Sequence, residues 1–171
     1  MLENQVKRIY LGIGSNLGNK LRNIENAKFY LIQNNIKIIQ SSSYYESLSW
    51  PNPTNPKFLN IVLEISTYLD PFNLLKKYKI IEKKLGRKKG LKNSPRECDI
   101  DILDFDNRKI NGQIILPHPR IQNRLFVLKP LGEVSPNWVH PVLCKKPSEL
   151  IMEGVWTEQD SLKAFEESPR L

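Results

Sequence analysis

FLNIVLEISTYLDPFNLLKKYKIIEKKLG, residues 58–86, carries the change of periodicity that decides the fold. Phe58–Tyr68 is rich in β-branched and aromatic residues and predicts a strand. Asp70-Pro71 then opens a helix, with Asp as N-cap and Pro at the first position, where its missing N–H costs nothing. Phe72, Leu75, Tyr78, Ile81, Glu82 and Leu85 fall along one side at helical spacing, and Gly86 supplies the stop. Upstream, KRIYLGIG (Lys7–Gly14) predicts a strand ended by glycine, and Ser15–Asn19 a turn. Leu21, Ile24, Ala27, Leu31 and Ile32 predict a helix from about Lys20 to Asn34. Ile36–Ser47 reads as extended. SWPNPTNPK (49–57) holds three prolines and reads as a stiff surface loop. Downstream, CDIDILDF (98–105) predicts a strand, with a short strand around 109–115 and a short helix over 123–133. Beyond Pro136 the pattern weakens to a turn of helix at 148–152 and an acidic terminal helix over 157–167. The order β-α-β-β-α-β is the split βαβ plan: an α+β, ferredoxin-like sandwich, mainly antiparallel sheet with helices packed on it. Residues 1–155 read as one domain and 156–171 as a C-terminal extension, helical or mobile.

Composition bounds the class. With 171 residues, 40% hydrophobic and 26% charged, the chain is ordinary globular material and long enough to need no staple. Cys98 and Cys144 stand far apart with no CxxC pair, which excludes a disulfide framework and a cysteine zinc site. The apolar runs are too short to span a bilayer or to serve as a signal peptide, so a cytoplasmic protein is expected. The net charge of +8 fits nucleic acid, a polyanionic small ligand, or a merely basic surface, and does not choose among them.

Four stretches carry chemistry. In Pro95-Arg96-Glu97-Cys98-Asp99-Ile100-Asp101-Ile102, strand alternation points Asp99 and Asp101 the same way and Cys98, Ile100 and Ile102 the other. Two adjacent carboxylates repel unless a cation lies between them, and Mg²⁺ takes one or two carboxylates plus phosphate oxygens. The plain alternative is a solvated acidic face met by lysines. The neighbouring loop, with Arg87, Lys88, Lys89, Lys92 and Arg96, could supply phosphate contacts or be a solvated charge run. Gly12-Ile13-Gly14-Ser15-Asn16-Leu17-Gly18 suggests phosphate cradling but matches neither the dinucleotide fingerprint nor the P-loop; a tight strand-to-helix turn explains its glycines equally well. In Leu116-Pro117-His118-Pro119-Arg120, the histidine is pinned between prolines, while His140 reads as structural. Trp50 on its stiff loop, with Phe58 and Asn60 on the next strand, suits a flat aromatic ligand or an ordinary aromatic cluster.

Together these blocks resemble the 2-amino-4-hydroxy-6-hydroxymethyldihydropteridine diphosphokinase family, the pyrophosphokinases of folate biosynthesis. The marks run in order over about residues 9–140: IGSNLG at 13–18, Phe58-Leu59-Asn60, Glu82 with Gly86-Arg87, PRxxDIDI at 95–102, and LPHPR at 116–120 running on to Arg124 and Phe126. The resemblance implies transfer of the β,γ-diphosphate of ATP to 6-hydroxymethyl-7,8-dihydropterin, with AMP released. It implies two Mg²⁺ ions on Asp99 and Asp101, and Arg87 and Arg96 stabilising charge in the transition state. Glu82, Lys89, Ile102, His118 and Arg124 would contact ATP. The pterin would lie between Phe126 and Trp50 or Phe58, read by Asn60 and by backbone near Gly14, Ser47 and Leu48. Residues 87–95 would form a mobile lid. The chain departs from the family pattern at Asn93, where some members carry Trp, and at Lys79, where some carry Gln. The implied partners are the two small substrates, with no nucleic acid, no membrane, and a monomeric state. Two rivals remain. A nucleotidyltransferase would place its acidic pair soon after the Gly-Ser turn, but Ser15 and Asp99 are most of a domain apart. An RNA-binding sheet would expose aromatics where this chain carries two acids.

Overall fold

A computed structural model describes residues 7–165. The chain runs β1 (Ile9–Ser15), α1 (Lys20–Gln33), β2 (Lys37–Ser41), β3 (Tyr45–Ser47), β4 (Phe58–Ser66), α2 (Pro71–Lys84), β5 (Asp99–Phe105), β6 (Ile110–Asn111), β7 (Ile115–Leu116), α3 (Leu125–Val134), α4 (Pro147–Glu153) and β8 (Leu162–Ala164), with 3-10 turns at Ile121–Asn123 and Glu158–Asp160. The main sheet has the order β5-β1-β4-β3-β8, with β2 also paired to β4. Each pairing is antiparallel. This is the split βαβ arrangement: α1 and α2 are the crossovers, and the chain's first and fifth strands lie side by side.

Strand alternation divides the side chains between two cores. Ile9, Leu11 and Ile13 of β1, the odd-numbered residues of β4, and Ile100 and Ile102 of β5 meet Ile24, Ala27 and Leu31 of α1 and Leu74, Tyr78 and Ile81 of α2. On the opposite face Tyr10, Val62 and Leu103 meet Val127, Leu128 and Leu131 of α3 and Leu150 of α4. A register shift in β5 opposite Tyr10 and Leu11 leaves Leu103 unpaired. Leu103 keeps the face of Asp99 and Asp101, Asp104 follows it to the second core, where it accepts from Trp138 Nε1, and Phe105 returns to the first. The α3–α4 layer covers one end of its face, and the other end holds Gly12, Gly14, Asn60, Asp99 and Asp101.

The helix caps follow their residue chemistry. The Asp70 side chain accepts from Asn73 N and Pro71 opens α2; the Asn19 side chain accepts from Arg22 N at the start of α1. Five expectations need correction. Ile36–Ser47 is two strands, because Ser42 turns inward and exchanges bonds with Val62, its N–H donating to Val62 O and its hydroxyl accepting from Val62 N. The inward faces of both crossover helices are narrower than spacing alone suggests: Ile32 is exposed, and α2 buries Pro71 and Leu74 and leaves Phe72 outside. The 109–115 stretch is the hairpin β6–β7, turned at Gly112. The helix expected over 123–133 begins only at Leu125, after a separate 3-10 turn. The helix expected over 157–167 is a 3-10 turn followed by β8, which pairs with β3 through Ser47–Leu162 and Tyr45–Ala164. Residues 1–6 and 166–171 lie outside the described residues, and with them the ends of the two expected domain segments. Among the described residues no helix is long and apolar enough to cross a membrane.

Candidate active site

A cleft of about 560 Å³ opens over the uncovered end of the sheet. Its floor is β1. Gly14 pairs with Asn60 on one side and Asp99 on the other; Gly12 pairs with Val62 and Asp101. A Cβ on Gly14 would stand 3.2 Å from Asn60 Oδ1 and 3.2 Å from the Phe58 ring, and one on Gly12 would touch Leu103. These glycines therefore lie inside a strand and keep a floor low between an amide and two carboxylates. A phosphate turn is not what they form. Gly18, with a positive φ of 71°, is the glycine of this motif that makes the turn.

The acidic pair stands as alternation requires, with Cys98, Ile100 and Ile102 buried behind it. Asp99 Oδ1 lies 2.7 Å from Arg87 Nη1, and Asp99 Oδ2 lies 2.9 Å from Arg96 Nη2. Burial acts to raise the Asp99 carboxyl, but the charges of Arg96 and Arg87 outweigh it and hold it below the usual range. Asp101 makes neither of these ion pairs. Burial, and then the neighbouring Asp99 charge, push it up to about 6. No group of three or more His, Cys, Asp or Glu gathers among the described residues. Two carboxylates with one unfavourably charged partner suit a hard cation that completes its shell with phosphate and water, as Mg²⁺ does.

Glu82 is 2% exposed and works inside the protein. Its Oε1 accepts from Ile100 N at 2.8 Å and lies 2.9 Å from Arg87 Nη1; Lys79 reaches its other oxygen at 3.2 Å. Arg87 is thus held between a helix carboxylate and a strand carboxylate. Arg96 is held by its backbone: its N–H donates to Asn16 Oδ1 at 2.8 Å, and its C=O accepts from Asn16 N at 3.1 Å. The Asn16 side chain also donates to Ser49 Oγ and Pro56 O, so one buried amide joins three loops. Asn16 is the positioning residue that sequence reasoning missed. The clue was an Asn directly after the glycine-bearing strand, a residue type that bonds backbone readily.

The aromatic side of the cleft brings together Gly14, Ser47, Leu48, Trp50, Phe58, Asn60 and Phe126, all seven of the expected heterocycle contacts. Both N–H groups of Asn60 are spent, on Ser47 Oγ at 2.8 Å and Tyr45 O at 3.2 Å, which aims its oxygen at the floor. A guanidinium lies over each ring: Arg120 over Trp50 at 5.2 Å, Arg124 over Phe126 at 5.5 Å and Arg96 over Phe58 at 5.3 Å. Asn93 and Arg96 are shared with a second chamber of about 610 Å³, lined by Glu82, Arg87, Lys89 and the rest of the basic loop. His118 stands apart, lining a groove beside β6 and β7. Burial, with the charges of Arg124 and Arg120, lowers it to about 4, so it is neutral at ordinary pH. The side chain of Ile102 packs in the first core and offers the cleft only backbone. His140 accepts from Val142 N and Leu143 N and closes a loop.

An acidic pair, one member clamped by two arginines, beside an aromatic chamber and a basic one, has counterparts among known proteins. Residues 10–136 match the family model of 7,8-dihydro-6-hydroxymethylpterin-pyrophosphokinase. The chain belongs to that family. It is 39% identical over 147 residues to the 2-amino-4-hydroxy-6-hydroxymethyldihydropteridine pyrophosphokinase of Aquifex aeolicus, covering 85% of this chain and 91% of that one. The Bacillus subtilis protein of the same name is 39% identical over 127 residues, covering 73% of this chain and 76% of that one. A folic acid synthesis protein of Pneumocystis carinii is 41% identical over 135 residues; these are 78% of this chain and only 18% of that much longer protein. Among solved structures, an HPPK-DHPS in complex with substrates superposes with a TM-score of 0.67 at 18% identity, over 85% of this chain and 43% of that one. Plasmodium falciparum HPPK-DHPS superposes with the same TM-score at 16% identity, over 90% and 45%. At these identities the structural likeness speaks for the ferredoxin-like fold. The IGSNLG, PRxxDIDI and LPHPR blocks all fall inside the family match.

Proposed function

We propose that this chain transfers the β,γ-diphosphate of ATP to the hydroxymethyl group of 6-hydroxymethyl-7,8-dihydropterin, releasing AMP. The observation that carries this reading is the pair Asp99 and Asp101 on the floor of a cleft whose other half is aromatic and amide-lined. A flat pterin fits among Phe126, Trp50 and Phe58. The Asn60 oxygen, with its N–H groups already committed, accepts from the pterin's amide or amino edge. Gly14, Ser47 and Leu48 offer backbone to the same ring. The triphosphate enters from the basic chamber, met by Lys89 and Arg87, with Arg96 at the junction and Arg124 on the cleft side. Residues 87–95 act as the lid. Neutral His118 offers an uncharged nitrogen to ATP, Ile102 its backbone, and Glu82 holds Arg87 ready.

Two Mg²⁺ ions held by Asp99 and Asp101 would supply charge neutralisation of the triphosphate. The protein's own part is positioning. Arg87 and Arg96 are pre-aimed by Asp99, Glu82 and Asn16, so charge building on the transferred phosphate meets fixed donors. A monomer working on two small molecules in the cytoplasm completes the proposal. The test is an end-point assay with ATP, Mg²⁺ and 6-hydroxymethyl-7,8-dihydropterin, with AMP read by chromatography. AMP should appear only with pterin and Mg²⁺ both present. Pyrophosphate release with a nucleotidylated acceptor, or no AMP from folded protein, would overturn the reading.

A further inference from the structure

The family match ends at residue 136, yet part of the cleft wall comes from beyond it. Thr157, Gln159 and Asp160 line the same chamber as Trp50, Phe58 and Asn60. How the chain brings them there is visible residue by residue. After α4, a Cβ at Gly154 would run into the Trp156 ring, so glycine lets the chain double back. Trp156 then packs against the second core, and its Nε1 donates to Ile151 O at 2.8 Å. Immediately downstream, the 3-10 turn closes on itself: Thr157 N donates to Asp160 Oδ2 at 2.8 Å, and Gln159 N to Thr157 Oγ1 at 3.3 Å. Beyond it, β8 pairs with β3, Leu162 opposite Ser47. Ser47 is itself the partner of Asn60 and leads directly into the Leu48–Trp50 lip. The turn is therefore pinned on one side by a half-buried indole and on the other by a strand added to the sheet. Its cap consumes Thr157 Oγ1 and Asp160 Oδ2. The Gln159 carboxamide, exposed at the cleft, has no part in the cap.

We propose that the Thr157–Asp160 turn is a further wall of the pterin chamber, in which Gln159 is a substrate-binding residue that hydrogen-bonds the heterocycle from the side away from β1. This rests on the pyrophosphokinase reading above. A carboxamide both donates and accepts, which suits the alternating donors and acceptors of a pterin edge. The test uses the full chain. AMP release by the unsubstituted protein is measured first; its absence would remove the pyrophosphokinase reading and is thereby distinguished from failure of this one. Gln159→Ala removes the contact, and Asp160→Ala removes the cap that holds the turn. Loss of one neutral hydrogen bond should raise the pterin KM roughly 3- to 10-fold, with the ATP KM unchanged. That result from Gln159→Ala supports the assignment; from Asp160→Ala alone it would remove Gln159 from the contact and overturn it. Pterin KM values within twofold of the parent in both variants would overturn it. So would an equal rise in both KM values with a lowered Tm, which would make the segment scaffold alone.

Discussion

Asp99 and Asp101 share a strand face and differ in what they touch, so they should fail differently when replaced. Asp101 has an ordinary carboxyl value of 3.8 in the unfolded chain and about 6 in the folded one. Folding therefore loses stability as pH rises through that window, and at pH 7 the ionised Asp101 is a cost. Asp101→Asn should reduce turnover about 100-fold or more if the carboxylate holds the cation, while the metal-free Tm at pH 7 stays level or rises. Asp99→Asn should lose turnover and stability together, because it frees Arg87 and Arg96 from a common partner. Activity assays paired with thermal melts separate the two. His118 carries the opposite kind of shift. The unfolded chain takes its proton near 6.5 and the folded chain near 4, so folding loses stability as pH falls between these values. An NMR titration should show His118 neutral down to about pH 4, and His118→Gln should flatten the fall of Tm over that range. The acidic pair was legible in the sequence because alternation is a local property. The difference between its two members was not, since it depends on arginines brought in from elsewhere in the chain.

At the scale of elements, Glu82 marks the join of α2 to β5. It sits on the helix face with Tyr78 and Ile81, where an isolated carboxylate would be expensive, and is tolerated because it takes the Ile100 N–H and the Arg87 guanidinium. Glu82→Ala should leave a buried N–H unanswered and cost about 1–3 kcal/mol. The expected result is a Tm lower by several degrees, with any change in ATP KM reproduced by Arg87→Ala. A pure rise in ATP KM at unchanged Tm would instead make Glu82 a direct nucleotide contact. The long strands and both crossover helices were readable, because seven or more residues of periodic apolar pattern outweigh local noise. The errors of element type fall where an element is short. β3 and β8 have three residues each, and β8 exists because β3 offers it an edge, a non-local reason that no window on residues 157–167 contains. The glycines of β1 were ambiguous for the same reason: their neighbours are Asn60 and Asp99, which only strand register reveals.

For the molecule as a whole, the two cores do different work. The α1–α2 core is closed and makes the sheet rigid; the α3–α4 core stops short, and the space it leaves is the cleft. The sequence showed the first core plainly. The extent of the second was hidden, because the segment completing its edge reads as a tail. Cys98 lies in the closed core, fully buried directly behind Asp99, while Cys144 is exposed. Burial, and then the Glu82 charge, hold the Cys98 thiol well above its ordinary value, which starves it of thiolate. A maleimide should therefore label the native protein once, at Cys144, and the denatured protein twice. With Cys144→Ser the remaining thiol becomes a clock. Its slow labelling counts how often β5 leaves the sheet, and if ATP and Mg²⁺ settle on the acidic pair, that clock should slow further. The core thus carries a built-in reporter of occupancy one residue behind the site, readable by mass alone.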